Sequence, residues 1–117
     1  MTIKNTLQSI MVVLDDIKAV DTRVIDVKKM TSVTDYMIIV SGTSSRHVKS
    51  IADKVIAHAK KNNLPLLGVE GIEESEWVLI DLGDILVHIM QPPVRDYYQL
   101  ERLWSTEIQV STPVPES

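Results

Sequence analysis

Two apolar runs separated by a single dipeptide set the frame for this chain. Trp77-Val78-Leu79-Ile80-Asp81-Leu82 and Ile85-Leu86-Val87-His88-Ile89-Met90 flank Gly83-Asp84. A two-residue connection led by glycine signals a tight β-hairpin, because glycine reaches the positive φ that a twist-matched turn requires. Such a turn fixes the pairing register, and side chains alternate between faces along each strand. Trp77 then lies opposite Met90, Leu79 opposite His88, and Asp81 opposite Leu86.

One face of this ribbon carries Val78, Ile80, Leu82, Ile85, Val87 and Ile89. All are aliphatic and most are β-branched, as suits a face packed on a core. The other face carries Trp77, Leu79, Asp81, Leu86, His88 and Met90. It is too apolar for comfortable hydration. It is also too polar for a dry core, since Asp81 and His88 each need a partner once buried. Either a helix of the same chain covers this face or another protein does. Trp, Met and His set among aliphatics, with a few polar groups to fix orientation, favour a protein interface.

The remaining elements follow from periodicity. Ile3, Leu7, Ile10, Leu14 and Ile17 recur at helical spacing, which predicts a helix over 3–18 with Thr2 as N-cap. The alternation around Val24, Ile25 and Val27 predicts a strand over 22–28. Tyr36-Met37-Ile38-Ile39-Val40 is continuously apolar and reads as a strand buried on both faces. Thr43-Ser44-Ser45 supplies caps for a helix over 46–62, whose inner stripe is Val48, Ile51, Ala52, Val55, Ile56 and Ala59. A short strand over 66–69 follows Pro65, and Pro92-Pro93 stops the hairpin. A last helix is predicted over 94–105. The expected fold is α/β (α+β): one domain over 1–108, with a mixed sheet of about five strands and helices packed on it. A disordered tail over 109–117 is expected to follow.

Composition narrows the function classes. Hydrophobic residues make up 44% and charged residues 24% of 117 residues, as in ordinary globular domains. There is no cysteine, hence no disulfide, thiol nucleophile or thiolate metal site. Nothing approaches the roughly 20 apolar residues of a membrane span, and no signal peptide is visible, so the cytoplasm is the expected compartment. Formal net charge is −4. The basic pairs Lys28-Lys29 and Lys60-Lys61 stand isolated, so little direct nucleic-acid binding is expected.

Catalytic arrangements were weighed in turn. Ser41-Gly42-Thr43-Ser44-Ser45 leads from a strand into a helix, where free N–H groups can hold phosphate. It lacks the glycine spacing and lysine of a P-loop, so capping is its expected role. Asp81 and Asp84 need not converge, and turn chemistry accounts for Asp84. His47, His58 and His88 fall on separate elements without ligand spacing. No catalytic residue, metal or cofactor is expected.

The last predicted helix concentrates aromatics. Of Tyr36, Trp77, Tyr97, Tyr98 and Trp104, all but the first fall in the C-terminal third. Tyr97, Leu100 and Trp104 share one side of that helix and are expected to pack inward. Tyr98, Glu101 and Arg102 lie on another. Trp, Tyr and Arg most often dominate interface energy.

The hairpin run Trp77-Val78-Leu79-Ile80-Asp81-Leu82-Gly83-Asp84-Ile85-Leu86-Val87-His88, followed by Arg95-Asp96-Tyr97-Tyr98-Gln99-Leu100-Glu101-Arg102-Leu103-Trp104, closely resembles the Iojap family, the ribosomal silencing factors. Thr34-Asp35-Tyr36 leading to Ser41-Gly42-Thr43-Ser44 also fits that pattern. The likeness spans about residues 3–108, with Met90 where the family usually has an aromatic. The resemblance implies a nucleotidyltransferase-like fold without catalytic carboxylates. It implies docking on the large ribosomal subunit through its L-fourteen protein, at the face that meets the small subunit, so that joining is blocked and translation falls when nutrients are short. Members are often homodimers when free. Carried onto this chain, it implies partner-binding roles for Trp77, Leu79, Asp81, His88, Tyr98 and Glu101, with Met90, Arg95 and Arg102 beside them. Two other classes stay open: a nucleotidyltransferase-like enzyme using the Ser41-Gly42 loop and Asp81, and a dimeric adaptor unrelated to ribosomes.

Overall fold

The structure is a computed structural model that describes residues 2–99, apart from the side chains of Tyr97 and Tyr98. The elements run α1 (Ile3–Asp16), β1 (Val20–Asp26), β2 (Tyr36–Ser41), α2 (Ser45–Lys61), β3 (Gly68–Glu70), β4 (Trp77–Asp81), β5 (Ile85–Met90) and α3 (Pro92–Tyr98). The five strands form one sheet in the order β1-β2-β5-β4-β3. Only β2 and β5 pair in parallel; the other neighbours are antiparallel. This is the mixed α+β architecture that the element order predicts.

The hairpin has the register read from its turn, with Trp77 opposite Met90, Leu79 opposite His88 and Asp81 opposite Leu86. Gly83 takes φ +85, and Leu82 N–H donates to Ile85 O at 2.9 Å to close the turn. Asp81 Oδ1 accepts Gly83 N–H at 2.9 Å, which occupies that carboxylate in the turn.

One side of the sheet is fully packed. Val78, Ile80, Leu82, Ile85, Val87 and Ile89 join Ile38 and Val40 beneath Ile10 and Leu14 of α1 and Val48, Ile51, Ala52, Val55 and Ala59 of α2. Ile56, expected in the same stripe, is only half-buried at its edge. Both helices start as their caps predict. Thr2 Oγ1 accepts Asn5 N–H at 3.2 Å, and Ser44 Oγ accepts His47 N–H at 3.1 Å. Two of the histidines join these helices. His47 Nδ1 accepts Thr43 N–H at 2.9 Å, so its Nε2 donates to Ile17 O at 2.9 Å, the end of α1. His58 Nε2 meets Ser9 Oγ at 2.9 Å.

Several boundaries differ from the sequence reading. α1 ends at Asp16, and Lys18 turns to φ 60 beyond it. β1 begins at Val20 and stops at Asp26, whose Oδ1 captures Lys28 N–H at 3.0 Å and turns the chain. β3 lies at Gly68–Glu70, slightly later than expected. α3 starts at Pro92, since proline fits a first helical turn. It ends at Tyr98, with Gln99 as C-cap at φ 50, and so stops short of the predicted limit at 105. The positions 100–105 of that expected helix and the tail lie outside the described residues.

Gly42 marks a close approach between β2 and α2. A Cβ there would meet Val48 Cγ2 and Val48 N, each at 2.8 Å. Since the backbone of α2 cannot yield without moving its core stripe, Gly42→Ala is expected to lower unfolding free energy by about 2 kcal/mol, an overpacking cost. Chemical denaturation of the variant checks this; an unchanged midpoint would show that the junction is looser than drawn.

Candidate docking face on the sheet

Directly paired residues in neighbouring strands project to the same side of a sheet. Register therefore assembles the second face row by row. Arg23, Ile39, His88, Leu79 and Glu70 form one row from β1 to β3. Ser41, Met90 and Trp77 form the row on one side of it, and Ile25, Met37, Leu86, Asp81 and Gly68 the row on the other.

This face is closed on one half and open on the other. Over β2 and the end of β5 lies a second small core of Val27, Met37, Ile39 and Met90, flanked by Ile25, Met30 and Val94. Val27 and Met30 come from the connection after β1, and Val94 from α3. Along β4 the cover thins: Trp77, Leu79, Asp81 and the neighbouring Leu86 stay half-exposed, and Glu70 is exposed.

The residues singled out from sequence separate accordingly. Trp77, Leu79 and Asp81 lie together on the open half. Met90 is 0% exposed and His88 7%, so Met90 is core rather than contact surface in this state. Arg95 is also 7% exposed. Its guanidinium donates to Ser41 Oγ at 2.9 Å and pairs with Asp21 at 3.5 Å, tying α3 to β1 and β2. An open cleft of about 810 Å³ between β1 and α3 has this residue in its wall, beside Asp21, Ser41, Pro92 and Pro93. Tyr98 belongs to α3, but its side chain, with Glu101 and Arg102, lies outside the described residues. Leu86 and Glu70 were not singled out as contacts; extending the hairpin register to β3 is the signal that would have added Glu70.

Trp77 and His88 act as a pair. The indole Nε1–H donates to His88 Nδ1 at 3.0 Å, with ring centroids 5.9 Å apart. With Nδ1 accepting, the neutral ring carries its proton on Nε2. That Nε2 is buried and has no hydrogen-bond partner among the described residues. Burial without a counter-charge pushes the His88 pKa down to about 4, from an ordinary value of 6.5.

The loop weighed as a phosphate cradle is internally spent. Gly42 N–H donates to Met90 O at 3.1 Å, Thr43 N–H to His47 Nδ1 at 2.9 Å, and His47 N–H to Ser44 Oγ at 3.1 Å. Ser41 Oγ is held by Arg95. Among the described residues no cluster of His, Asp or Glu is arranged to hold a metal ion, and no helix is long and apolar enough to cross a membrane. What the arrangement offers is a binding surface: an indole and two leucines beside carboxylates.

Comparison with known proteins agrees with the pattern in the hairpin. A family model described as ribosomal silencing factor during starvation matches residues 1–117. A Chromobacterium violaceum protein named Ribosomal silencing factor RsfS is 46% identical over 91 residues, 78% of this chain and 75% of its own length. A mouse protein named Mitochondrial assembly of ribosomal large subunit protein 1 is 36% identical over 88 residues, 73% of this chain and 39% of its own length. A crystal structure of a protein from Chromobacterium violaceum superposes with a TM-score of 0.87 at 38% identity, covering 100% of this chain and 94% of that one. The chain belongs to the ribosomal silencing factor family.

Proposed function

We propose that this protein docks on the large ribosomal subunit through the L-fourteen protein and prevents the small subunit from joining, lowering translation when nutrients are short. The observation that carries the reading is the half-exposed Trp77, with Leu79 and Leu86, on a sheet whose opposite side is filled by its own helices. Clustered apolar groups with a large aromatic at their centre are the usual anchors of protein interfaces. Family membership supplies the ribosomal setting, and the name of the mouse relative points to the large subunit.

Trp77, Leu79 and Asp81 form the contact surface, extended by Tyr98, Glu101 and Arg102. His88, Met90 and Arg95 hold that surface in shape from behind. The effect is steric: a domain seated beside the joint fills volume the small subunit needs. Inhibition then follows mass action, and the factor must prefer the free large subunit to the joined particle. No covalent step is required, and the protein acts in the cytoplasm as a regulator rather than an enzyme.

Co-sedimentation with separated subunits tests this. The protein is expected to travel with the large subunit and not the small one, and pre-loading it should reduce joining when the small subunit is added. Binding to neither subunit, or binding that leaves joining unaltered, would refute the mechanism.

A further inference from the structure

The segment that builds the open half of the face carries charge of one sign. Glu70, Glu73, Glu74, Glu76, Asp81 and Asp84 stand between Lys61 and Arg95, with no Lys or Arg among them. The four glutamates and Asp84 are exposed. None of these carboxylates is in an ion pair among the described residues. The basic side chains gather elsewhere: Arg46, Lys49, Lys54, Lys60 and Lys61 are on α2, which packs against the opposite side of the sheet.

Two placements bring the negative charge to the docking face. Glu70 pairs directly with Leu79, so both side chains leave the sheet on the same side. Glu76 immediately precedes Trp77, and its carbonyl accepts Gln91 N–H at 3.0 Å, which anchors the connection beside the end of β5. The carboxylates thus form a rim continuous with the apolar strip of Trp77, Leu79 and Leu86. In the same row as Glu70 and Leu79 lies His88, with its buried and unanswered Nε2. Carboxylates lacking counter-charges in their own chain repel one another and raise the local negative potential. An incoming basic surface relieves that repulsion.

We propose that the β3 edge and the β3–β4 connection are the acidic rim of the docking face, and that the surface seated there is a basic protein surface whose Lys and Arg side chains meet Glu70, Glu73, Glu74 and Glu76. The inference rests on the docking reading above and adds how the partner is selected. The rim steers the partner toward the apolar strip and repels nucleic acid, so ribosomal RNA passing nearby is avoided rather than gripped.

The test uses the full chain and the isolated L-fourteen protein as probe. Association rates are measured by stopped flow at low, intermediate and high salt for wild type and for a variant carrying Glu70→Gln, Glu73→Gln, Glu74→Gln and Glu76→Gln. All four side chains are exposed, so thermal melts should be unchanged. Wild type is expected to associate about tenfold more slowly at high salt, as steered encounters do. The variant should start about tenfold slower at low salt and show a flattened salt dependence. A control with Asp15→Asn and Asp16→Asn, exposed on α1 at the other side of the sheet, should behave as wild type. A four-Gln variant with wild-type rates and salt dependence overturns the acidic-rim inference and leaves the docking reading intact. Wild type that fails to bind at any salt removes both. A variant that keeps wild-type association but dimerises more tightly in sedimentation assigns the rim to contacts between copies of this chain, and overturns the proposal too.

Discussion

Trp77→Ala is expected to weaken docking on the large subunit by at least about 2 kcal/mol, roughly a thirtyfold rise in Kd. The indole is the largest side chain on the open half of the sheet, and it stands between the small second core and solvent. Truncation removes its apolar area from the contact. It also removes the N–H that His88 Nδ1 accepts at 3.0 Å, leaving a buried acceptor unsatisfied. The variant should therefore lose stability as well, by about 1–2 kcal/mol. The two losses can be separated. Trp77→Phe keeps most of the ring area but lacks the donor, so it should share the stability loss while retaining most of the affinity. Titration of labelled protein with purified large subunits, alongside denaturant melts, measures both. A folded Trp77→Ala variant with unchanged Kd would take the indole out of the contact.

What the sequence made legible was local. The hairpin register follows from a two-residue turn and alternation, and Gly83 has the positive φ that the turn needs. Thr2 and Ser44 cap their helices through bonds spanning three residues, a distance that pattern reading handles well. Where the reading fell short, a distant segment decides the outcome. Met90 shares a face with half-exposed Trp77, yet Val27, Met30 and Val94 converge on its end of that face and bury it. Nothing in the alternation of β5 announces that cover. Arg95 looked like a surface cation because helical periodicity places it near Tyr98. Its burial depends on Asp21, held at φ 54 beside an irregular step in the β1–β2 pairing, and on Ser41 at the end of β2. α3 stops at Gln99 without a glycine, asparagine or proline to mark the stop.

The open face was legible in kind but not in extent. Alternation placed an indole, an imidazole and a carboxylate on the same side of the ribbon, and the structure keeps them there. It could not distribute the cover across that side, because the loop after β1 and the start of α3 reach only β2 and the end of β5. The acidic rim was visible as a count of residues but had no location until β3 paired with β4 and set Glu70 beside Leu79.

Stability is expected to fall by about 3 kcal/mol between neutral pH and pH 4 through His88 alone. In the folded protein the imidazole is buried, accepts from Trp77 at Nδ1, and has its pKa pushed down to about 4 from 6.5. At pH 7 the ring is neutral in both folded and unfolded chains, so it adds no pH dependence there. As pH falls through 6.5 the unfolded chain takes up a proton that the folded protein refuses until about pH 4. The unfolded state then binds more protons, and linkage makes unfolding free energy decrease as pH decreases across that window. The mechanism is geometric as well as electrostatic. A protonated Nδ1 would face the Trp77 N–H donor to donor, so the charged ring must break the pair that shapes the open face. Carboxylates that titrate in the same range are removed by comparison with His88→Gln, which can still accept from Trp77 but does not ionise. Denaturant unfolding of both proteins at pH 7, 6, 5 and 4 should show the wild-type curve falling away from the variant's, and large-subunit binding should weaken in parallel. Curves that stay parallel down to pH 4 would mean that the imidazole accepts its proton in place, and that Trp77 and His88 are not locked together as the hydrogen bond implies.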